Sequence, residues 1–178
     1  MKKLGQVWIE TVLYTLIGLA LIGLVLAFVT PKITQARDKL VVEQTISSLN
    51  VLDEKINIVL DGGPDNIRIV DFTIKRGELY FNSSSDEIVF IISDLKTPYS
   101  QPNVTISYGR ISVYSQEGQK NSLVSLKMGY DANITYDGFD QERKFSAASV
   151  PYKFSIHNLG NINGDGLNVV NIKDVSGG

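Results

Sequence analysis

Twenty consecutive uncharged residues, Thr11 to Thr30 (TVLYTLIGLALIGLVLAFVT), constrain this chain more than any other feature. In apolar surroundings a backbone must satisfy its own hydrogen bonds, and a helix does so within one segment. At helical rise, twenty residues span about 30 Å, the thickness of a bilayer's hydrocarbon core. The run is apolar on every side, so it has no polar face to turn towards water. A chain of 178 residues leaves little other protein to enclose it. A cleaved secretory signal has a shorter apolar centre, about 7–15 residues, with small residues at the cut. Ala27-Phe28-Val29 does not fit that pattern. The run therefore reads as a membrane-inserted helix. Lys2 and Lys3 precede it while Lys32, Arg37 and Lys39 follow it, so the basic residues leave its orientation open.

Glu10 stands at the mouth of this run. A carboxylate at the edge of a membrane-length helix is costly unless it snorkels, complements the helix dipole or finds a partner. A partner acquired later points to a subunit of an assembly. Gly18, Ala20, Gly23 and Ala27 thin the helix surface, and Gly23 with Ala27 forms a small-xxx-small pair that lets helices approach. Pro31 removes a backbone donor and crowds the preceding turn, which predicts a kink or restart there. Beyond it Ile33, Ala36, Leu40, Val42, Ile46, Leu49, Leu52, Ile56 and Val59 recur every three or four residues. Arg37, Asp38, Glu43, Gln44, Asp53, Glu54 and Lys55 fill the remaining faces, giving an amphipathic helix to about Leu60. Asp61-Gly62-Gly63-Pro64 stops it. The expected rod has about 50 residues and a length of roughly 75 Å.

From Asn66 on, the helical period gives way to short apolar or alternating runs separated by turn residues. The expected strands are Ile67–Ile74, Glu78–Phe81, Ile88–Ile92, Val104–Tyr108, Ile111–Tyr114, Leu123–Met128, Ile134–Tyr136, Tyr152–His157 and Leu167–Ile172. Turn signals at this spacing predict a sandwich or barrel, with the amphipathic helix covering one face.

Candidate chemistry is sparse. The absence of Cys removes disulfides and thiolate metal sites. A net charge of -2 offers no basic surplus for nucleic acid. His157, the one histidine, lies in a strand pattern beside Asn158 and reads as a packed or surface residue. No nucleophile–base pair, P-loop or GxGxxG is present, so an enzyme is not expected. Asn161, Asn163 and Asp165 alternate before Gly166 like the start of a calcium loop, but Ile172 occupies the position of the closing carboxylate. Asp131, Asn133, Thr135 and Asp137 alternate similarly before Gly138. Turn chemistry accounts for both runs, with calcium as the alternative and otherwise no cofactor expected. Three sequons make Asn82, Asn103 and Asn133 candidate glycan acceptors.

The N-terminal pattern resembles the type IV pilin-like prepilins, most closely the archaeal pilins with a class III signal peptide. The resemblance covers residues 1 to about 60. Its carriers are the basic Lys2-Lys3, then Gly5-Gln6, then Gln6-Val7-Trp8-Ile9-Glu10, and the apolar run with its amphipathic continuation. Many members place a charge directly before the Gly, where this chain has Leu4. The resemblance implies cleavage after Gly5 by a membrane prepilin peptidase, which makes Gln6 the first residue and Glu10 the fifth. It also implies that the new amine of Gln6 on one subunit neutralises Glu10 on another. An assembly ATPase and platform proteins are implied as partners, beside the chain itself and the membrane.

The expected architecture is α+β: a long N-terminal helix, half transmembrane and half amphipathic, followed by an antiparallel β-sandwich-like head. Residues 1–5 would be a leader, residues 6–60 a transmembrane and assembly helix kinked near Pro31, and residues 61–178 an extracellular β-rich head. The expected function is that of a structural subunit of a cell-surface filament serving adhesion or motility, inserted in the cytoplasmic membrane as a precursor. The alternatives are a membrane-anchored extracellular binding module, or a minor pilin-like component of a secretion or uptake machine.

Overall fold

The computed structural model describes the backbone of residues 3–177 and the side chains of residues 7–177. Lys2, and the side chains of Lys3, Leu4 and Gln6, lie outside the described residues. Two compact units are present, Met1–Arg37 and Asp38–Gly178.

One helix, α1 (Lys3–Asp61), includes the apolar run and the amphipathic stretch. It continues through Pro31 without the restart that the proline suggested. On either side of that residue, the Thr30 and Thr34 hydroxyls donate to the carbonyls of Leu26 and Thr30 at 2.7 and 3.1 Å. The end of α1 is built by glycines. The Gly62 amide donates to the Ile58 carbonyl at 3.0 Å, and Gly63 takes φ +79, a left-handed conformation natural to glycine. A Cβ on Gly62 would lie 2.0 Å from the side-chain Nδ2 of Asn66, so a side chain there would have to push the Asn66 side chain aside.

Ten strands follow. They are β1 (Ile67–Phe72), β2 (Glu78–Asn82), β3 (Glu87–Leu95), β4 (Thr105–Tyr108), β5 (Ile111–Glu117), β6 (Ser122–Gly129), β7 (Asn133–Tyr136), β8 (Glu142–Ser146), β9 (Tyr152–Gly160) and β10 (Val169–Asp174). Nine match runs expected from the sequence, with ends that move by at most three residues. β8 is the addition. Its sequence, ERKFS, buries only Phe145 and opens on three charged residues, so no apolar alternation announces it.

The strands form two sheets, ordered β1-β9-β10-β7 and β4-β5-β6-β3-β2-β8. Every strand pair is antiparallel except β7 with β10, which run parallel. The inner faces meet through aromatic side chains. Phe81 of β2 and Phe154 of β9 make an edge-to-face contact at 5.1 Å, and Phe72 of β1 lies 6.3 Å from Phe90 of β3.

From α1, Val42, Ile46, Leu49, Leu52, Ile56 and Val59 join the same buried cluster as both sheets. Ile33, Ala36 and Leu40, expected on the same stripe, are exposed. Within the second unit, burial along α1 starts at Asp38 and Val42. Six buried aliphatic side chains contribute on the order of 10 kcal/mol at most to holding this helical stretch against the sheets.

Candidate functional site

The candidate site is the N-terminal stretch of α1. From Val7 to Val29, every large apolar side chain is between 39 and 74% exposed, on all sides of the helix. Its most apolar 18-residue window has a mean hydropathy of 2.7 and no residue buried. This helix is long and apolar enough to cross a membrane. Its hydroxyls are handled as an apolar environment requires: Thr11 and Thr15 donate to the carbonyls of Val7 and Thr11 at 2.9 and 2.8 Å, inside the helix. Glu10 is exposed at the N-terminal end of the apolar run. A Cβ at Gly18 or Gly23 would meet open space, and Ala27 is exposed. The surface thinned by these small residues is unfilled within the first unit. The backbone at Gly5 and Gln6 is helical.

Two polar anchors in the second unit went unrecognised as such in the sequence. Asp38, grouped with the polar face of the amphipathic helix, is instead buried. Its carboxylate accepts from Arg76 at 2.7 Å and from the Lys96 amide at 2.7 Å. Arg76 also donates to the carbonyls of Ser93 and Asp94, where the β3 ladder shifts register before Leu95. Asp38 thus ties the helix to β3 and to the turn after β1. The available signal was phase, because Asp38 lies one turn before Val42 on the stripe that becomes buried. Asp53 forms the second anchor. It accepts from the Tyr130 hydroxyl at 3.0 Å and pairs with Arg110 at 3.2 Å, while Arg110 lies over the Tyr130 ring. Burial, reinforced by the Asp53 charge and hydrogen bond, pushes the Tyr130 phenol well above its ordinary pKa. Near the end of α1, the buried Asn158 side chain donates to the Val59 carbonyl at 3.1 Å and accepts from the Gly160 amide.

The remaining candidates are scattered over the head. Asn161, Asn163 and Asp165 lie in the exposed loop between β9 and β10, where Asp165 accepts from the Leu167 amide at 2.9 Å. That contact is the Asx turn expected of such residues. Of the second alternating run, Thr135 donates to Asn171 at 3.3 Å and Asp137 pairs with Lys173 at 3.2 Å. Among the described residues, no three His, Asp or Glu side chains converge as metal ligands. His157 is half-buried on β9, with Nε2 3.6 Å from the Asp65 carboxylate. Asn82 ends β2, Asn103 precedes β4 and Asn133 begins β7. On the open face of the larger sheet, Glu78 accepts from Lys144 and from the Tyr80 hydroxyl at 2.5 and 2.6 Å. The Lys144 hydrogen bond, followed by that of Tyr80, holds the Glu78 carboxyl below its usual range.

No protein-family model, curated protein or solved structure matches this chain.

Proposed function

We propose that the chain is a structural subunit of a pilus-like filament, anchored in the membrane by the apolar stretch of α1 and then assembled through it. The observation that carries the reading is the exposure of Val7–Val29 on every side of a helix whose later turns enter a folded core. Such a surface requires lipid, or the same helix from other subunits. The open space at Gly18 and Gly23 supports close helix approach. The placement of Glu10 at the end of the run supports register by charge pairing, with cleavage after Gly5 supplying the amine of Gln6. The β-rich unit would coat the outside, serving adhesion or motility.

The mature N-terminus tests this directly. Mass spectrometry of the surface protein should find Gln6, or its cyclised form, as the first residue. An intact Met1 or Lys2 terminus would favour a plain membrane anchor instead. Glu10→Ala should leave the head folded and abolish or shorten filaments seen by electron microscopy. Filaments of normal number and length would refute the register role.

A further inference from the structure

We infer that Asn103 is the acceptor of an N-linked glycan, and that Asn82 and Asn133 are not. The inference rests on the extracytoplasmic placement of the head proposed above. The three sequons are equivalent in sequence but not in the fold. An acceptor needs a reachable side-chain amide, and its sequon needs a hydroxyl two residues on. Whether the sugar is added before or after folding, it must end outside the packed head.

Asn103 satisfies these conditions. It is exposed, in a left-handed conformation (φ +61), in the loop before β4. Its backbone amide is held by the Ser115 carbonyl at 2.8 Å, and its Oδ1 accepts from the Tyr114 hydroxyl at 3.1 Å. The carbonyl side of the amide is therefore fixed while Nδ2 makes no hydrogen bond among the described residues. Thr105 is exposed, and its hydroxyl is likewise unengaged among them.

The other two are obstructed. Asn82 is flanked on both sides, by Glu87 of β3 and Glu142 of β8. Unlike that of Thr105, the sequon hydroxyl here is engaged, because Ser84 donates to the Asn82 Oδ1 at 2.8 Å, and the intervening Ser83 is buried with its hydroxyl on the Gln141 carbonyl. Asn133 is half-buried in β7, and the Thr135 hydroxyl is buried against Asn171.

The chemistry requires a sugar carried on a polyprenyl phosphate or diphosphate. Nδ2 of Asn103 forms a bond to the sugar's C1, the bond from C1 to the carrier's phosphate oxygen breaks, and that oxygen leaves with the electron pair. Nδ2 loses one proton. The glycan would stand two residues ahead of β4, which among the described residues pairs only with β5, at the edge of its sheet. A bulky polar chain there shields the edge from strand addition by neighbouring heads.

Trypsin separates the three sites, releasing peptides 77–96, 97–110 and 128–143 with one sequon each. Mass spectrometry of protein purified from the surface of the producing cells should show a saccharide mass on 97–110 and none on the others. The variant Asn103→Gln should lose that mass from the intact protein, whereas Asn133→Gln should not. Unmodified 97–110 on protein that begins at Gln6 would overturn the glycan and leave the filament reading intact, as would a saccharide on 77–96 or 128–143. A modified 97–110 on protein that still begins at Met1 would do the reverse.

Discussion

Removing the Asp38 carboxylate leaves the Arg76 guanidinium facing the carbonyls of Ser93 and Asp94 without its counter-charge, and frees the Lys96 amide. Asp38 is buried, but a third of the Arg76 side chain is exposed, so water offsets part of the loss. Asp38→Ala should cost about 2 kcal/mol, read as a lower midpoint in urea, and Asp38→Asn should cost less because one acceptor remains. Two partly or largely buried phenols contribute to the alkaline behaviour, beside Tyr80 and Lys144, which their hydrogen bonds to Glu78 also raise. Tyr130 is raised by burial and by Asp53, and burial with a hydrogen bond shared with Tyr108 pushes Tyr99 up to about 12. Both folds favour the protonated phenol. Their contribution is complete below the ordinary tyrosine pKa of about 10 and is lost as pH rises from there through the higher folded values. Stability should therefore fall above about pH 10, and Tyr130→Phe should flatten part of that fall in denaturation curves taken at several pH values.

Along α1, one helix presents two kinds of leucine. Leu49 is fully buried, whereas Leu40 is 53% exposed. Leu49→Ala should destabilise the head by about 2–5 kcal/mol, whereas Leu40→Ala should lie within about 0.5 kcal/mol of the parent in the same denaturation assay. Apolar period alone put both on one stripe. It misses the start of burial because Asp38, a charged residue, occupies the first inward position, and its cost is met by Arg76 and the Lys96 amide from distant parts of the chain. The helix's end was legible, since Gly62-Gly63-Pro64 acts through local backbone geometry. Strands with alternating apolar residues, such as Ile88 to Ile92, were legible for the same local reason. β8 was not, because an edge strand with one inward residue carries almost no periodic signal. The parallel pairing of β7 with β10 depends on contacts between residues far apart in sequence, which no local pattern encodes. At the candidate site, the apolar run was legible, while the difference among the three sequons needed the neighbours of each hydroxyl.

At the scale of the molecule, Asp38–Gly178 contains every buried apolar residue of the core cluster. A fragment beginning at Asp38 should therefore fold as a water-soluble monomer with a cooperative thermal transition, checked by gel filtration and calorimetry. A fragment beginning at Asn66 lacks the six helical core residues and should aggregate or unfold under the same conditions. The full chain should require detergent, because its Val7–Val29 stretch is exposed on every side.

The strand order has a further consequence in time. Among the described residues β1 borders only β9, so Ile67 meets His157 about 90 residues later, and β10 lies between β9 and β7. At roughly 5–20 residues per second, β1 waits several seconds or more during synthesis for its only neighbour. The smaller sheet cannot close until nearly the whole head has been made. A polypeptide that must be threaded through a translocation channel is best kept from folding early. For a head carried across the membrane as proposed above, this strand order would leave the smaller sheet open during transfer.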